Sequence, residues 1–271
     1  MLKKKLHFGF GNSKLAKTVL TFSLPSGYTC PFAKTCLSVA NRATGKIKDG
    51  KHCKVRCFSA MQECVYPNVR KLRWGNYEML EEAGTTEKMS NLIQYSMPRG
   101  FITVRPGISG DFYRESYFVA WLNVALNNPK MIFYGYTKAI PFLIKYRDYI
   151  PNNFRFVASK GGTHDHLIAK HHLKFAEIVF SVKEAEDKGL DIDHDDSLAL
   201  NCKKSFALLV HGTQPVGSEA GKAWQRLKEN GIGGYSDKPK APIFKGSTFI
   251  IYLNVSNNGR IIPIKKSLVK I

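Results

Sequence analysis

Apolar, β-branched and aromatic residues gather in short runs at 101–104, 131–136, 154–158, 178–182 and 206–211. Runs of four to six such residues, bounded by polar and turn-forming segments, predict strands buried on both faces. Their starts lie 23 to 30 residues apart, the length of one strand-plus-helix unit. Residues 18–24 (Thr-Val-Leu-Thr-Phe-Ser-Leu) form a sixth run near the start of the chain. Helical signals lie between the runs. Residues 116–127 carry Tyr117, Val119, Ala120, Leu122, Val124 and Leu126 before the stop Asn127-Asn128-Pro129. Residues 183–189 predict a short charged helix ending at Gly189. Residues 218–231 run from an N-cap serine to a C-cap glycine.

Six such units predict an α/β fold in which right-handed crossovers build a parallel sheet, curled into a partial or complete TIM-like βα barrel. A doubly wound open sheet is the other arrangement. In both, functional side chains collect at the carboxyl ends of the strands. Residues 247–255 and 260–265 flank Ser256-Asn257-Asn258-Gly259 and predict a β-hairpin. The chain therefore divides into a barrel-like body over 1–237, with a cysteine-rich insertion at 25–75, and a basic hairpin appendage over 238–271.

Charge adds a partner to this picture. The 271 residues carry a net +20, with 44% hydrophobic and 12% aromatic residues, a composition that folds. Residues 1–75 hold 15 Lys and Arg against Asp49 and Glu63, the stretch 76–237 is neutral, and 238–271 holds seven bases and no acid. Charge segregated in this way is the footprint of a polyanion, so the expected partner is nucleic acid, DNA before RNA. The predicted phosphate contacts are Arg42, Lys46, Lys48, Lys51, Lys54, Arg56, Arg70, Lys71, Arg73, Lys265 and Lys266. No apolar run reaches the ~18–20 residues that span a bilayer, and no apolar block follows the basic start. A cytoplasmic protein without membrane partners is expected; the oligomeric state is not legible.

Five of the six cysteines fall within 35 residues, as Cys30-x5-Cys36-x16-Cys53-x3-Cys57-x6-Cys64. Without an export signal such clustering points to metal ligation before disulfides. The expected ligands are Cys30, Cys36, Cys53, Cys57 and Cys64, and the expected cofactor is an iron–sulfur centre, [4Fe–4S] by preference, or zinc. The loop's position after the first strand resembles that of barrel enzymes with a three-cysteine cluster. The tight C-x3-C-x2-C spacing of S-adenosylmethionine radical enzymes is absent. Lysines and arginines around the thiols favour the thiolate form.

Further chemistry is expected at the strand ends. Ser109-Gly110-Asp111 follows the strand at 101–104, Lys138 follows 131–136, and His211 follows 206–211. Asp191-Ile192-Asp193-His194-Asp195-Asp196 is the densest acidic stretch and offers carboxylates to a divalent cation. The working groups expected from these positions are Asp111, Lys138, His194, Asp195 and His211.

Several of these segments, in order, resemble a known family. Thr29-Cys30-Pro31-Phe32-Ala33-x-x-Cys36, Arg56-Cys57-Phe58-Ser59-Ala60, Ser109-Gly110-Asp111-Phe112, Phe133-Tyr134-Gly135-Tyr136-Thr137-Lys138, Asp193-His194-Asp195-Asp196-Ser197 and His211-Gly212-Thr213-Gln214-Pro215 look like the bacteriophage gene-product-88-like family. The likeness spans about residues 8–235 and implies a phage or mobile-element setting. Arg105-Pro106-Gly107 departs from the histidine-containing form of that loop. The expected function is a metalloprotein that cleaves nucleic acid or modifies its bases. The alternatives are a nucleic-acid-binding factor with a structural metal and an iron–sulfur radical-type enzyme.

Overall fold

In the computed structural model, residues 4–12 and 14–232 are described. Ten strands form: β1 (Phe8–Phe10), β2 (Val19–Ser23), β3 (Ser38–Ala40), β4 (Ile47–Asp49), β5 (Thr103–Ser109), β6 (Ile132–Thr137), β7 (Phe154–Ser159), β8 (Phe175–Val179), β9 (Asp191–Ile192) and β10 (Phe206–Leu209). The helices are α1 (Phe58–Val65), α2 (Pro67–Ala83), α3 (Thr86–Ser96), α4 (Glu115–Leu126), α5 (Ile140–Lys145), α6 (His166–Lys170), α7 (Val182–Asp187), α8 (Ser197–Asn201) and α9 (Glu219–Glu229).

Eight strands make one sheet in the order β1-β2-β5-β6-β7-β8-β10-β9, while β3 and β4 pair as a separate hairpin. The six strands β2, β5, β6, β7, β8 and β10 are mutually parallel and adjacent in chain order. This is the predicted run of βα units, without the reversal of order that marks a doubly wound sheet. Among the described residues the sheet does not close into a barrel. The sheet ends on β1, antiparallel to β2, and on the two-residue β9 beside β10, and no ladder joins these two edges. The predicted strand at 178–182 lies earlier, at β8. Residues 175–182 are apolar almost throughout, and Ser181 ends the strand by capping α7, its hydroxyl accepting from the Glu184 amide. The predicted hairpin at 247–265, with the appendage 238–271, lies outside the described residues.

Side-chain alternation along β6 and β7 assigns the two sheet faces. Phe133, Phe154 and Phe156 pack with Met89 and Ile93 of α3, Phe118 and Trp121 of α4 and Leu143 of α5. Their neighbours Tyr134 and Val157 face the other way and pack with Leu15, Phe206 and α8 residues Ala199 and Leu200. The second face is therefore filled by the short α8 segment. A third cluster, Val179, Leu209, Ala220, Ala223 and Leu227, seats α9 near the β10 edge. At about 25 cal/mol per Å² of apolar area removed from water, aromatic packing of this density is the dominant stabilising contribution. No helix among the described residues is long and apolar enough to cross a membrane.

Candidate functional site at the strand-end rim

The cysteine-rich segment between β2 and α1 lies across the carboxyl ends of the parallel strands. Its backbone is pinned at three places along the rim. Lys34 and Thr35 donate from their amides to the Gly161 carbonyl beyond β7 (3.0 and 2.9 Å), and Thr163 donates back to the Phe32 carbonyl (2.9 Å). Ser59 donates its hydroxyl to the Ile108 carbonyl of β5 (3.1 Å). Gln214, beyond β10, accepts from the Arg56 amide at 2.8 Å and donates to the Arg56 carbonyl at 3.1 Å. The segment is thus a cap reaching from β2 to β10. Two glycines show how closely it is seated. A Cβ on Gly161, at φ +95°, would lie 2.2 Å from the Thr35 hydroxyl, and one on Gly110, at φ +77°, 2.3 Å from the Thr29 hydroxyl.

Under this cap the thiols of Cys30, Cys36 and Cys57 fall within electrostatic reach of one another. Burial first, then the charges of Asp111, Cys57 and Cys36, push the Cys30 thiol up. The Cys36 thiol is also raised by burial, while Lys138 works against the shift and Cys57, Cys53 and Asp111 add to it. Cys57 is the N-cap residue of α1, its Sγ 3.1 Å from the Ser26 hydroxyl. Cys53 stands at the outer side, 3.6 Å from the Ser38 hydroxyl and bonded to the Val55 carbonyl. Cys64 lies nearly two turns along α1, where its charge bears on Arg56. Cys202, never expected as a ligand, bonds to the Phe156 carbonyl.

Asp111 and Lys138 join the thiols. Thr137 donates its hydroxyl to Asp111 Oδ1 (2.6 Å), the Lys138 amide donates to Oδ2 (2.8 Å), and the Phe112 amide donates to Oδ1 (2.7 Å). Burial nevertheless raises the Asp111 carboxyl above its ordinary value. The Lys138 ammonium donates to the Ser159 hydroxyl at 2.6 Å and the Lys160 carbonyl at 3.0 Å. Glu63, missed by sequence reasoning, braces the cap from below. It is 1% exposed, pairs with Arg73 at 2.9 Å and accepts from the Ser26 amide at 2.8 Å and the Ser109 hydroxyl at 3.3 Å.

The other expected working groups lie elsewhere. His211 stands at the β10 end of the cap, its ring 5.2 Å from that of Phe58, and burial lowers its pKa so that neutral imidazole is favoured at neutral pH. His194 is exposed, and Asp195 accepts from the Ser197 amide at 3.1 Å, as a turn-capping aspartate does. Their neighbours Asp193 and Asp196 turn inward instead, at 1% and 0% exposure. Asp196 pairs with Lys14 at 2.7 Å and Arg105 at 2.6 Å, and accepts from the hydroxyls of Tyr136 (3.0 Å) and Tyr134 (3.3 Å). The Arg105 contact is ionic but not aligned as a hydrogen bond. Arg105 and Lys14 outweigh burial and hold the Asp196 carboxyl down at about 2. Asp193 and Asp196 thus form an internal ionic knot with the protein's own cations, whereas Asp191 is exposed and pairs with Lys204. The knot's partners, 57 and more residues away in sequence, carried no local signal.

Several expected phosphate contacts are also engaged. Arg70 and Arg73, expected to face phosphate, are instead buried, at 7% and 5% exposure. Arg70 donates to the carbonyls of Arg42 and Glu63, and Arg73 serves Glu63 and the Ser59 carbonyl. Arg56 grips Asp49 through both carboxylate oxygens (2.9 and 3.1 Å). Arg42 is exposed, pairs with Glu78 and lies over the Trp74 ring. Lys46, Lys48, Lys51, Lys54 and Lys71 are exposed as expected. Lys265 and Lys266 lie outside the described residues.

Among the described residues no group of three or more His, Cys, Asp or Glu side chains is placed to hold a metal ion. A zinc ion with ~2.3 Å bonds draws its thiolates almost into contact, whereas a polynuclear cluster spreads them. Soft thiols beside Lys138 are a donor type that both kinds of centre use.

Fold and rim together define an α/β protein with an open, mostly parallel sheet whose strand ends are capped by a cysteine-rich segment. The chain belongs to the Gene product 88 family, whose model matches residues 2–226. No curated protein and no solved structure matches it.

Proposed function

We propose that this protein is an iron–sulfur enzyme of the radical type that modifies nucleic acid. The observation that carries the reading is the convergence of Cys30, Cys36 and Cys57 with Asp111 and Lys138 at the carboxyl ends of β2, β5 and β6. Were Cys30, Cys36 and Cys57 to hold a [4Fe–4S] cluster, their three thiolates would be one fewer than its irons, and one iron would be open to an outside ligand or to Cys53, which is in electrostatic range of Cys36 and Cys57. Such a centre supplies one-electron chemistry, as in enzymes that use S-adenosylmethionine. Lys138 offsets the negative charge of the thiolates, and the Glu63–Arg73 pair keeps the cap seated on the rim. Asp111 orients the β6 end through Thr137 and the Lys138 amide.

Base modification is favoured over metal-assisted cleavage because the carboxylates are already committed. Both oxygens of Asp111 accept hydrogen bonds, and Asp196 is neutralised by Lys14 and Arg105. Two free carboxylates able to clamp divalent cations are what phosphodiester hydrolysis needs. The nucleic-acid partner rests on the exposed lysines of the cap and on a charge excess concentrated in residues 1–75. The phage setting implied by the family accords with it.

The test is iron retention after anaerobic purification of single Cys→Ser variants. Substitution of Cys30, Cys36 or Cys57 should abolish the visible absorbance and the bound iron; substitution of Cys64 or Cys202 should leave both. Iron retained in all three of the first group would sink the proposal.

A further inference from the structure

Between the cap and the loop that joins β7 to α6 lies a cleft of about 670 Å³. Lys34, Lys51, Cys53 and Lys54 line one side, and Thr163 and His166 the other. We infer that this cleft seats the phosphates of a single nucleic-acid strand and directs an unstacked nucleotide toward the neighbouring thiols. The inference rests on the proposed function and gives its substrate a form and a path.

Three observations support it. The first is charge. Lys34, Lys51 and Lys54 are exposed and pair with no carboxylate among the described residues. The one carboxylate in the cleft, Asp165, is spent on the amides of Gly161 (2.7 Å) and Gly162 (2.9 Å). Lysines held at a concave surface without acidic partners are electrostatically suited to polyanion phosphates. The second is position. Cys53, in the cleft wall, is in electrostatic range of Cys57 and Cys36, so the cleft adjoins the thiols. A Cβ placed on Gly162 would lie 3.3 Å from Lys138 Cβ, so the loop on the other side rests directly on Lys138. The third is access. The thiols lie beneath the cap, and a base held in a duplex stack cannot follow its phosphate there. Extruding it from a duplex costs a few kcal/mol, which a single strand does not have to supply.

The experiment is fluorescence anisotropy with a labelled single-stranded oligonucleotide, using the full chain and the K34A/K51A/K54A variant. With ~0.7 counterions released per phosphate contact on a single strand, loss of three contacts should lower the salt slope by about 2. At 0.1 M salt the same arithmetic gives roughly a 100-fold loss of affinity. The charge-matched variant K88A/K130A/K222A, altered on other exposed positions, should bind within about twofold of the parent. A matching duplex should bind the parent more weakly than the single strand. Equal losses in the two triple variants would overturn the inference, because only overall charge would be at work. Unchanged oligonucleotide binding together with lost binding of inorganic phosphate or a mononucleotide would also overturn it, by assigning the cleft to a free phosphate. All substitutions are at exposed positions, and far-ultraviolet circular dichroism checks that each variant is folded. The binding readout does not depend on iron. A protein that carries iron but shows no cleft-dependent binding refutes the cleft alone; one that binds the strand but never carries iron refutes the cluster alone.

Discussion

Replacing Asp196 with alanine removes the one carboxylate that two half-buried cations, Lys14 and Arg105, share. Lys14 and Arg105 contact it at 2.7 and 2.6 Å, and its side chain is 0% exposed. Left behind on the sheet face covered by α8 are two positive charges, of which Lys14 keeps Asp193 at 4.0 Å, and two tyrosine hydroxyls, of which that of Tyr136 keeps Asp193 at 3.3 Å. Breaking a buried pair from one side costs about 3–5 kcal/mol, chiefly through the uncompensated charge. For a body of this size each kcal/mol lowers Tm by about 2–4 °C, so the expected drop is roughly 6–20 °C. The conservative variant Asp196→Asn gives a second, sharper readout. The folded carboxyl is held at about 2 against an ordinary 3.8, so its contribution of about 2 kcal/mol is fully present above pH ~4 and is lost as pH falls toward 2. Asp193 acts in the opposite sense, because burial raises its pKa. The difference between parent and Asp196→Asn, measured by urea unfolding from pH 6 to pH 2, isolates the Asp196 part. The gap should be widest at neutral pH and close on the acid side. A cost below about 1 kcal/mol, or a gap that does not change with pH, would refute the claim that Lys14 and Arg105 hold the Asp196 carboxylate charged in the folded protein.

Three further outcomes are expected. Gly110→Ala forces a Cβ to 2.3 Å from the Thr29 hydroxyl at a positive φ, which should cost about 2–4 kcal/mol in urea unfolding and loosen the cap; a neutral effect would mean that the cap is not closely seated. Glu63→Gln leaves Arg73 buried without its counter-charge, so a Tm fall matching about 3 kcal/mol is expected, and an unchanged Tm would show that the pair does not brace the cap. Gln214→Ala removes both hydrogen bonds that tie the cap to the β10 end, and hydrogen exchange should quicken around residues 53–57 while β6 and β7 stay protected. Equal protection in the variant would place the cap's anchorage elsewhere.

The sheet was legible because its code is local. Short apolar runs at βα spacing marked β2, β6, β7 and β10 to within two residues, the run at 101–104 caught only the first two residues of β5, and the cap Ser218 marked the start of α9. The helical block α1–α3 was not legible. Its first half reads as basic and cysteine-rich, and the arginines that look like phosphate contacts are turned inward by Glu63 and by backbone carbonyls. At the site, the cysteines announced themselves by clustering, but spacing alone does not show that Cys57 caps the start of α1 while Cys64 lies nearly two turns along it. The acidic stretch misled for a physical reason. Alternate carboxylates look alike in sequence whether they face water or a buried arginine, and Arg105 lies 91 residues away from Asp196.

The central claim is that three thiols under the cap carry an iron–sulfur cluster, and the direct test is iron and acid-labile sulfide per chain in anaerobically prepared protein. About four of each per chain, with the broad visible absorbance of a thiolate-bound cluster, is the result expected for a [4Fe–4S] centre. Stoichiometric zinc without sulfide, or a folded chain that takes up no iron when supplied with iron and sulfide, would contradict it.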